Sequence, residues 1–517
     1  MPDSLDGLTH KTENVDDRQG KMNSSFAASP GRQNLSLVIA LISIPFAIFF
    51  GLISVTASPI LASFAVALIA GFTLLAKPEW IVWIVLSLGL LITGMLPLYI
   101  HEGLAARGAW SVSILGFFLM FLAFFKMIIS PDIQKNTPIF IWIMFIFFVY
   151  AVLNALVQWH STGEFLGGFK RYFQMWGLIF AFCWFAFDEQ KIHRWRKFIL
   201  LIALLQLPFA VQQLIVWAPL RESMKSAFPG MVPIDVVAGT FGSSITGGGA
   251  SAEMAVFLVI ILGFLLARRM EKTLSGTQFA LFTSIVLMPL FLGETKAVLV
   301  MLPLMFLVLY RHKLFVRLRY WLLSFIAAIL ITLIAGYTYM SFMPEKTQEE
   351  LIADAIDYNF KEKGYGNNYL NRTTVLTFWA EKQKISDPVS FAFGNGLGAS
   401  HSATGGHIAI HYPGYGIGLT AASTLLWDLG IFGFSLFVSI LFFAWRCANR
   451  LIRESNSPQV RADAVAIQAA LAIFAFYLFY RIGTLELLSI QIVFAVLLGY
   501  LAWLHRRHAS GESKQHT

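Results

Sequence analysis

The residues in this 517-residue chain best placed to do chemistry are charged side chains at the ends of apolar runs. Lys170 and Arg171 precede one run. Glu294 and Lys296 share the tight turn Gly293-Glu294-Thr295-Lys296 between two others, Arg481 closes a run and Glu486 opens the next. Arg372 heads a helical stretch in a long polar segment. Burying an ionised group beside lipid is costly, so charges gathered at one level of a membrane protein mark a candidate site. Arginine forks match phosphate oxygens with paired charge-assisted hydrogen bonds, and together these cations suit a phosphate-bearing anion. Singly, each is equally consistent with snorkelling at the interface or with ion pairing, as between Arg481 and Glu486.

Histidines collect in the same region: His401, His407 and His411 lie in the run SHSATGGHIAIHYPGYG. Their spacing invites a metal, but no cysteine or carboxylate accompanies them and no helix is expected to hold so glycine-rich a stretch, so no metal site is expected. General acid–base work suits them better, because imidazole titrates near neutral pH. Exposed loop histidines remain the plain alternative. Cys183 and Cys447 have no metal-ligand spacing and imply no disulfide framework.

The elements that must position these groups follow from composition. Hydrophobic residues make up 57% of the chain and charged residues 13%, against roughly 25% in soluble domains. A soluble globule cannot hide that much apolar surface, so an all-α polytopic membrane protein is expected. Apolar runs recur at 35–53, 59–76, 80–98, 109–129, 139–158, 172–187, 198–217, 252–267, 279–293, 297–310, 320–340, 419–445, 462–480 and 487–504. That predicts about fourteen transmembrane helices of about 20 residues each, the pair around Gly293 being short. The first run is too long and too far in for a signal-peptide core, so it reads as an uncleaved span.

Orientation follows from the basic residues. With the N-terminus cytoplasmic, alternating spans put 25 of the 38 Lys and Arg residues inside, including Lys191–Lys197, Arg268–Lys272, Arg311–Arg319 and Arg446–Arg461. Both termini then lie in the cytoplasm, and the net charge of +9 is a product of topology that does not call for nucleic acid. The predicted organisation is a cytoplasmic tail over 1–34, about eleven spans over 35–340, a large periplasmic loop over 341–418, about three spans over 419–504 and a tail over 505–517. A loop of that length is usually functional or disordered. Within it, 345–363 and 372–385 read as helices, the second with Val375, Leu376 and Trp379 on its apolar face and Pro388 beyond its end, followed by a glycine-rich run over 394–418. A smaller outer loop over 218–251 ends in Gly247–Gly249.

One block is similar to a known pattern. Arg372, Trp379, Ile385 and Pro388, followed by Phe393-Gly394-Asn395-Gly396-Leu397-Gly398, resemble the signature of the O-antigen ligase and O-antigen polymerase family of bacterial envelope glycosyltransferases. Leu425 to Gly433 resembles that signature's ending, with Asp428 in the acidic place. Glu294-Thr295-Lys296-Ala297 looks like its Ser-Arg-(Thr/Gly)-Ala turn with lysine for arginine, and Gly239-Thr240-Phe241-Gly242 resembles its Gly-x-Phe element. The resemblance implies metal- and cofactor-independent glycosyl transfer at the periplasmic face of the bacterial inner membrane. Donor and acceptor would be glycans on undecaprenyl pyrophosphate, and other polysaccharide export proteins would be partners. Arg171, Lys296, Arg372 and Arg481 would hold the pyrophosphate. His411, His407 and Arg372 would serve the reaction, with a histidine positioning or deprotonating the acceptor. The ligases' His-Asn pair is replaced here by Leu419-Thr420, which favours a polymerase of repeat units over a ligase to lipid A-core or protein.

Other classes make different demands. A transporter of lipid-linked oligosaccharide would carry polar residues through mid-span positions, and Gln212 and Gln213 keep that reading open. A peptidoglycan polymerase would want a catalytic acid in the outer loop, where Asp354, Asp357 and Asp387 stand.

Overall fold

The computed structural model describes residues 77–224, 226–228, 231–293, 295–314, 368–383 and 387–511, together with Ile326, Glu349 and Ala353. Every regular element among them is helical. The longer elements are α1 (Pro78–Ser87), α2 (Glu102–Ile129), α3 (Ile139–Val157), α4 (Thr162–Phe173), α5 (Trp176–Trp184), α6 (Glu189–Gln212), α7 (Ser251–Met270), α8 (Gly276–Leu292) and α9 (Val298–Leu314). After them come α10 (Thr374–Lys382), α11 (Pro388–Phe393), α12 (His407–His411), α13 (Ala421–Glu454), α14 (Pro458–Tyr480) and α15 (Leu488–Ala509).

Among the described residues, seven helices are long and apolar enough to cross a bilayer: Gly103–Ile129, Ile139–Val157, Glu189–Ser223, Ser251–Met270, Ala421–Glu454, Pro458–Tyr480 and Leu488–Ala509. Pro78–Ile92, Gly276–Leu292 and Val298–Arg311 are shorter apolar helices at expected spans. The expected spans at 35–53, 59–76 and 320–340 lie outside the described residues, as does nearly all of the helix expected at 345–363. In lipid a backbone must satisfy itself, which a helix does and an open loop does not.

The run at 172–187 does not form one span. It is divided at Gln174-Met175 between α4 and α5. The Gln174 side chain at the break accepts a hydrogen bond from Ser113 at 2.8 Å and donates one to the Glu486 carbonyl at 3.1 Å. Close packing fixes the break against α2: a Cβ on Gly116 would lie 1.9 Å from the Gln174 carbonyl oxygen, and one on Gly177 would lie 1.9 Å from that of Gly116. Small residues let the backbones meet.

Basic residues from several helices gather at one end of the bundle. Asp463, 1% exposed, accepts from Arg268 Nε at 2.8 Å and Nη2 at 3.0 Å and from the Tyr500 hydroxyl at 2.6 Å, and Arg196 lies 3.3 Å away. This clamp ties together α6, α7, α14 and α15. Arg461–Glu271 at 2.8 Å, Arg507–Glu189 at 2.6 Å and Lys191–Glu79 join the same end. Helices α7, α13 and α15 begin at the opposite end and α14 finishes there, beside the glycine-rich loop.

Of the two mid-span glutamines, Gln213 is accounted for by the fold. Gln213 Oε1 accepts from the Ala238 and Gly239 amides at 2.9 and 2.8 Å, and its Nε2 donates to the Gly239 carbonyl. Gln206 accepts from the Thr240 amide at 2.9 Å. These buried amides stand in for the missing helical partners of the irregular segment 236–243. Gln212 is half-buried: its Nε2 donates to the Tyr99 hydroxyl at 2.8 Å, while its Oε1 is buried with no hydrogen-bond partner among the described residues.

Candidate functional site

The site is assembled where the glycine-rich loop meets the first turns of α13. At Gly430 the chain leaves helical geometry (φ 64°, ψ −171°), which frees the preceding carbonyls from their intrahelical partners. The loop takes them up. Asn395 N donates to the Trp427 carbonyl at 3.0 Å and Gly396 N to the Asp428 carbonyl at 2.8 Å. A Cβ on Gly394 (φ +78°) would lie 2.5 Å from the Asp428 carbonyl, so only glycine permits this approach. The Asp428 carboxylate, 1% exposed, then accepts from Ser400 N at 2.8 Å, Gly398 N at 3.1 Å and the Tyr172 hydroxyl at 3.1 Å. Asp428 therefore holds the loop in shape.

Helix α4 grips the loop from the other side. Glu164, Gly167, Gly168 and Arg171 recur at the three- and four-residue spacing of one helical face. Glu164 accepts from His407 N at 3.0 Å and lies 2.9 Å from His407 Nδ1. A Cβ on Gly168 would meet Leu397 and Gly398 backbone atoms at 2.5–2.7 Å. Arg171 pairs with Glu486 at 2.5 Å, and Glu486 also lies 3.0 Å from His401 Nε2. Burial would raise the Glu486 carboxyl, but the His401 hydrogen bond and the positive fields of Arg171 and Arg481 outweigh it, and its pKa lies below the ordinary carboxylate value.

Beside this hub lies a cavity of about 380 Å3, lined among others by Arg372, Arg481, His401, Glu486, Ser400 and Tyr480. Arg372 stacks its guanidinium 4.1 Å from the Tyr480 ring centroid and donates from Nε to the Tyr480 carbonyl at 2.9 Å. Arg481 pairs with the buried Glu253 at 3.2 Å, and Tyr477 bonds that same carboxylate. The anticipated Arg481–Glu486 pair is thus replaced by two crossed pairs, each with a partner far away in sequence. Ser400 is 4% exposed and lies against the Asp428 carboxylate.

Of the predicted anion-binding residues, Arg372 and Arg481 share this cavity and Arg171 joins it through Glu486. Lys296 is exposed on its turn and does not line the cavity; its field and that of Arg481 both act on Asp235. The histidines divide. Ala409 and Tyr412 on the α12 turn face the cavity, whereas His407 and His411 do not line it. His407 is held by Glu164 and stacked on His160 with ring centroids 4.7 Å apart, and His411 Nδ1 lies 2.6 Å from the His407 carbonyl. With Nδ1 of each ring facing an oxygen acceptor, the basic nitrogen of each is Nε2. His401 is the histidine in the cavity. Its Nδ1 accepts from Ala403 N at 3.2 Å and its Nε2 faces Glu486, so both nitrogens serve positioning. No cluster of three or more His, Cys, Asp or Glu able to hold a metal occurs among the described residues.

Sequence reasoning passed over Glu164, Ser400, Tyr480 and the hub role of Glu486. Ser161 and Glu164 have the spacing of a helix capping box, and Ser161 does cap the helix, which hides the reach of Glu164 to His407. Tyr480 ends an apolar run and reads as an interface aromatic. No protein-family model matches the chain, and no curated protein matches it.

Proposed function

We propose that the protein is a membrane glycosyltransferase that joins lipid-linked oligosaccharide units of a surface polysaccharide at the end of the bundle opposite its basic end. In this reading that end faces the periplasm, and the donor is a glycan on undecaprenyl pyrophosphate. The observation that carries the proposal is the convergence of Arg372 and Arg481 on one cavity that also takes in His401, Glu486 and the buried hydroxyl of Ser400. An oxygen-rich anion with neighbouring hydroxyls suits that lining, and the resemblance of the 372–433 block agrees with it.

The chemistry asks little of the protein. An acceptor hydroxyl oxygen attacks the anomeric carbon of the donor, and the bond from that carbon to the pyrophosphate oxygen breaks. The electron pair leaves with the polyprenyl pyrophosphate, and the hydroxyl proton passes to a base. Arg372 and Arg481 would stabilise the charge developing on the leaving group. His407 and His411 stand on α12 beside the cavity without lining it, and in this reading they would position the acceptor, His407 being held by Glu164.

The test is genetic and biochemical. A deletion strain is complemented with Arg372→Ala and Arg171→Ala, and membrane protein and surface polysaccharide are measured together. The proposal expects both proteins in the membrane and no long chains; chains of wild-type length in both would overturn it. Loss of long chains with single repeats retained marks a polymerase, whereas accumulated lipid-linked polymer marks a ligase.

A further inference from the structure

At the basic end of the bundle a second cavity, of about 560 Å3, opens between the last turns of α13, the start of α3 and His505 on α15. Arg446, Arg450 and Arg453 line it at spacings of four and three residues, which puts them on one face of α13 in a ladder roughly 10 Å long. One carboxylate lines it, Glu454, which is held by Arg450 at 2.8–2.9 Å. Among the described residues neither Arg446 nor Arg453 has a carboxylate partner. Elsewhere at this end Asp463 engages Arg196 and Arg268 together, whereas the cavity brings three arginines to one carboxylate.

The flank of the cavity is apolar. Ile139 forms part of the lining and is 62% exposed, and Phe442, with Arg446 over its ring at 6.0 Å, is 53% exposed. A ladder of cations beside exposed apolar side chains matches a ligand that is anionic at one end and hydrocarbon at the other. From this complementarity we infer that the cavity is a binding site for an anionic phospholipid, its phosphate between Arg446 and Arg453 and an acyl chain along Ile139 and Phe442. The site is independent of the glycosyl-transfer reading and lies at the other end of the protein.

The test uses the full chain in a neutral detergent and follows its thermal unfolding midpoint as phosphatidylglycerol, phosphatidylcholine or inorganic phosphate is added. Phosphatidylglycerol raises the midpoint; phosphatidylcholine and inorganic phosphate do not. The double substitution Arg446→Gln/Arg453→Gln weakens the phosphatidylglycerol effect about tenfold or more in lipid concentration, as expected for two charge-assisted hydrogen bonds. Ile139→Trp fills the lining without altering any charge and also weakens it. Arg194→Gln removes an exposed charge from the same end outside the cavity and leaves wild-type affinity. Unchanged affinity in both the double variant and Ile139→Trp would overturn the proposal. An equal loss in Arg194→Gln, or equal stabilisation by phosphatidylcholine or by phosphate, would also overturn it.

Discussion

Removing the Asp428 carboxylate should unmoor the glycine-rich loop without touching any cavity residue's charge. In Asp428→Ala three buried donors lose their acceptor: the amides of Gly398 and Ser400 and the Tyr172 hydroxyl. Each unsatisfied buried donor costs about 1–3 kcal/mol, and water entering the vacated space lowers the sum, so the loop should lose about 3–6 kcal/mol. Asp428→Asn keeps one acceptor oxygen but turns an NH2 toward another donor, for a loss of about 2–3 kcal/mol. Amide hydrogen exchange in detergent reads this directly. Protection at Gly398 and Ser400 should fall by roughly 10²- to 10⁴-fold in the alanine variant, at about 1.4 kcal/mol per factor of ten, and by less in the asparagine variant. Amides in α14 and α15 should keep theirs. Protection of Gly398 and Ser400 within threefold of wild type in Asp428→Ala would refute the reasoning.

Gly168→Ala drives a methyl group into the Leu397–Gly398 backbone, so polymer formation should be lost while the protein still reaches the membrane; a gel of surface polysaccharide checks it. Gln213→Ala leaves the Ala238 and Gly239 amides without their acceptor and should cost about 2–4 kcal/mol, read as a lowered midpoint of thermal unfolding in detergent. The Glu486 carboxyl is depressed in the folded protein, so its stabilising contribution is full above the ordinary carboxyl pKa of 4.5 and is lost as pH falls through the lower folded value. The stability difference between wild type and Glu486→Gln should therefore shrink as pH falls below 4.5, as pH-dependent melting would record. Glu164→Gln removes a charged acceptor from the His407 amide and ring and should lower polymer formation while the protein still reaches the membrane; wild-type chain lengths on a polysaccharide gel would remove this contact from the site.

The helices were legible because their message is local. A run such as Ile139–Val157 is apolar all round and opens after Pro138, and nothing else in lipid satisfies its backbone. The face of α10 was legible too, with Val375 and Trp379 buried as their spacing requires. The interruption at 174–175 was hidden because Phe and Trp continue straight through it, and what divides the run is Gln174 meeting Ser113 and Glu486 across the bundle. Charged pairs were legible as residues and not as partners. Arg481 and Glu486 are five residues apart, yet Glu253 takes the first and Arg171 the second, since tertiary geometry and not sequence distance decides which carboxylate a guanidinium reaches. The histidines follow the same rule. All three stand in one short run, but the α12 turn carries His407 and His411 away from the wall and the loop carries His401 onto it.

The measurement closest to the central claim is polymerisation by the purified protein in a bilayer, supplied with a polyprenyl-pyrophosphate oligosaccharide as both donor and acceptor. The account predicts a ladder of longer lipid-linked chains with wild type, without added metal. With Arg372→Ala it predicts no ladder although the protein remains folded, and with Arg194→Gln, at the far end of the bundle, a normal one. An undiminished ladder from Arg372→Ala would contradict the account, as would wild-type protein that leaves the substrate unextended.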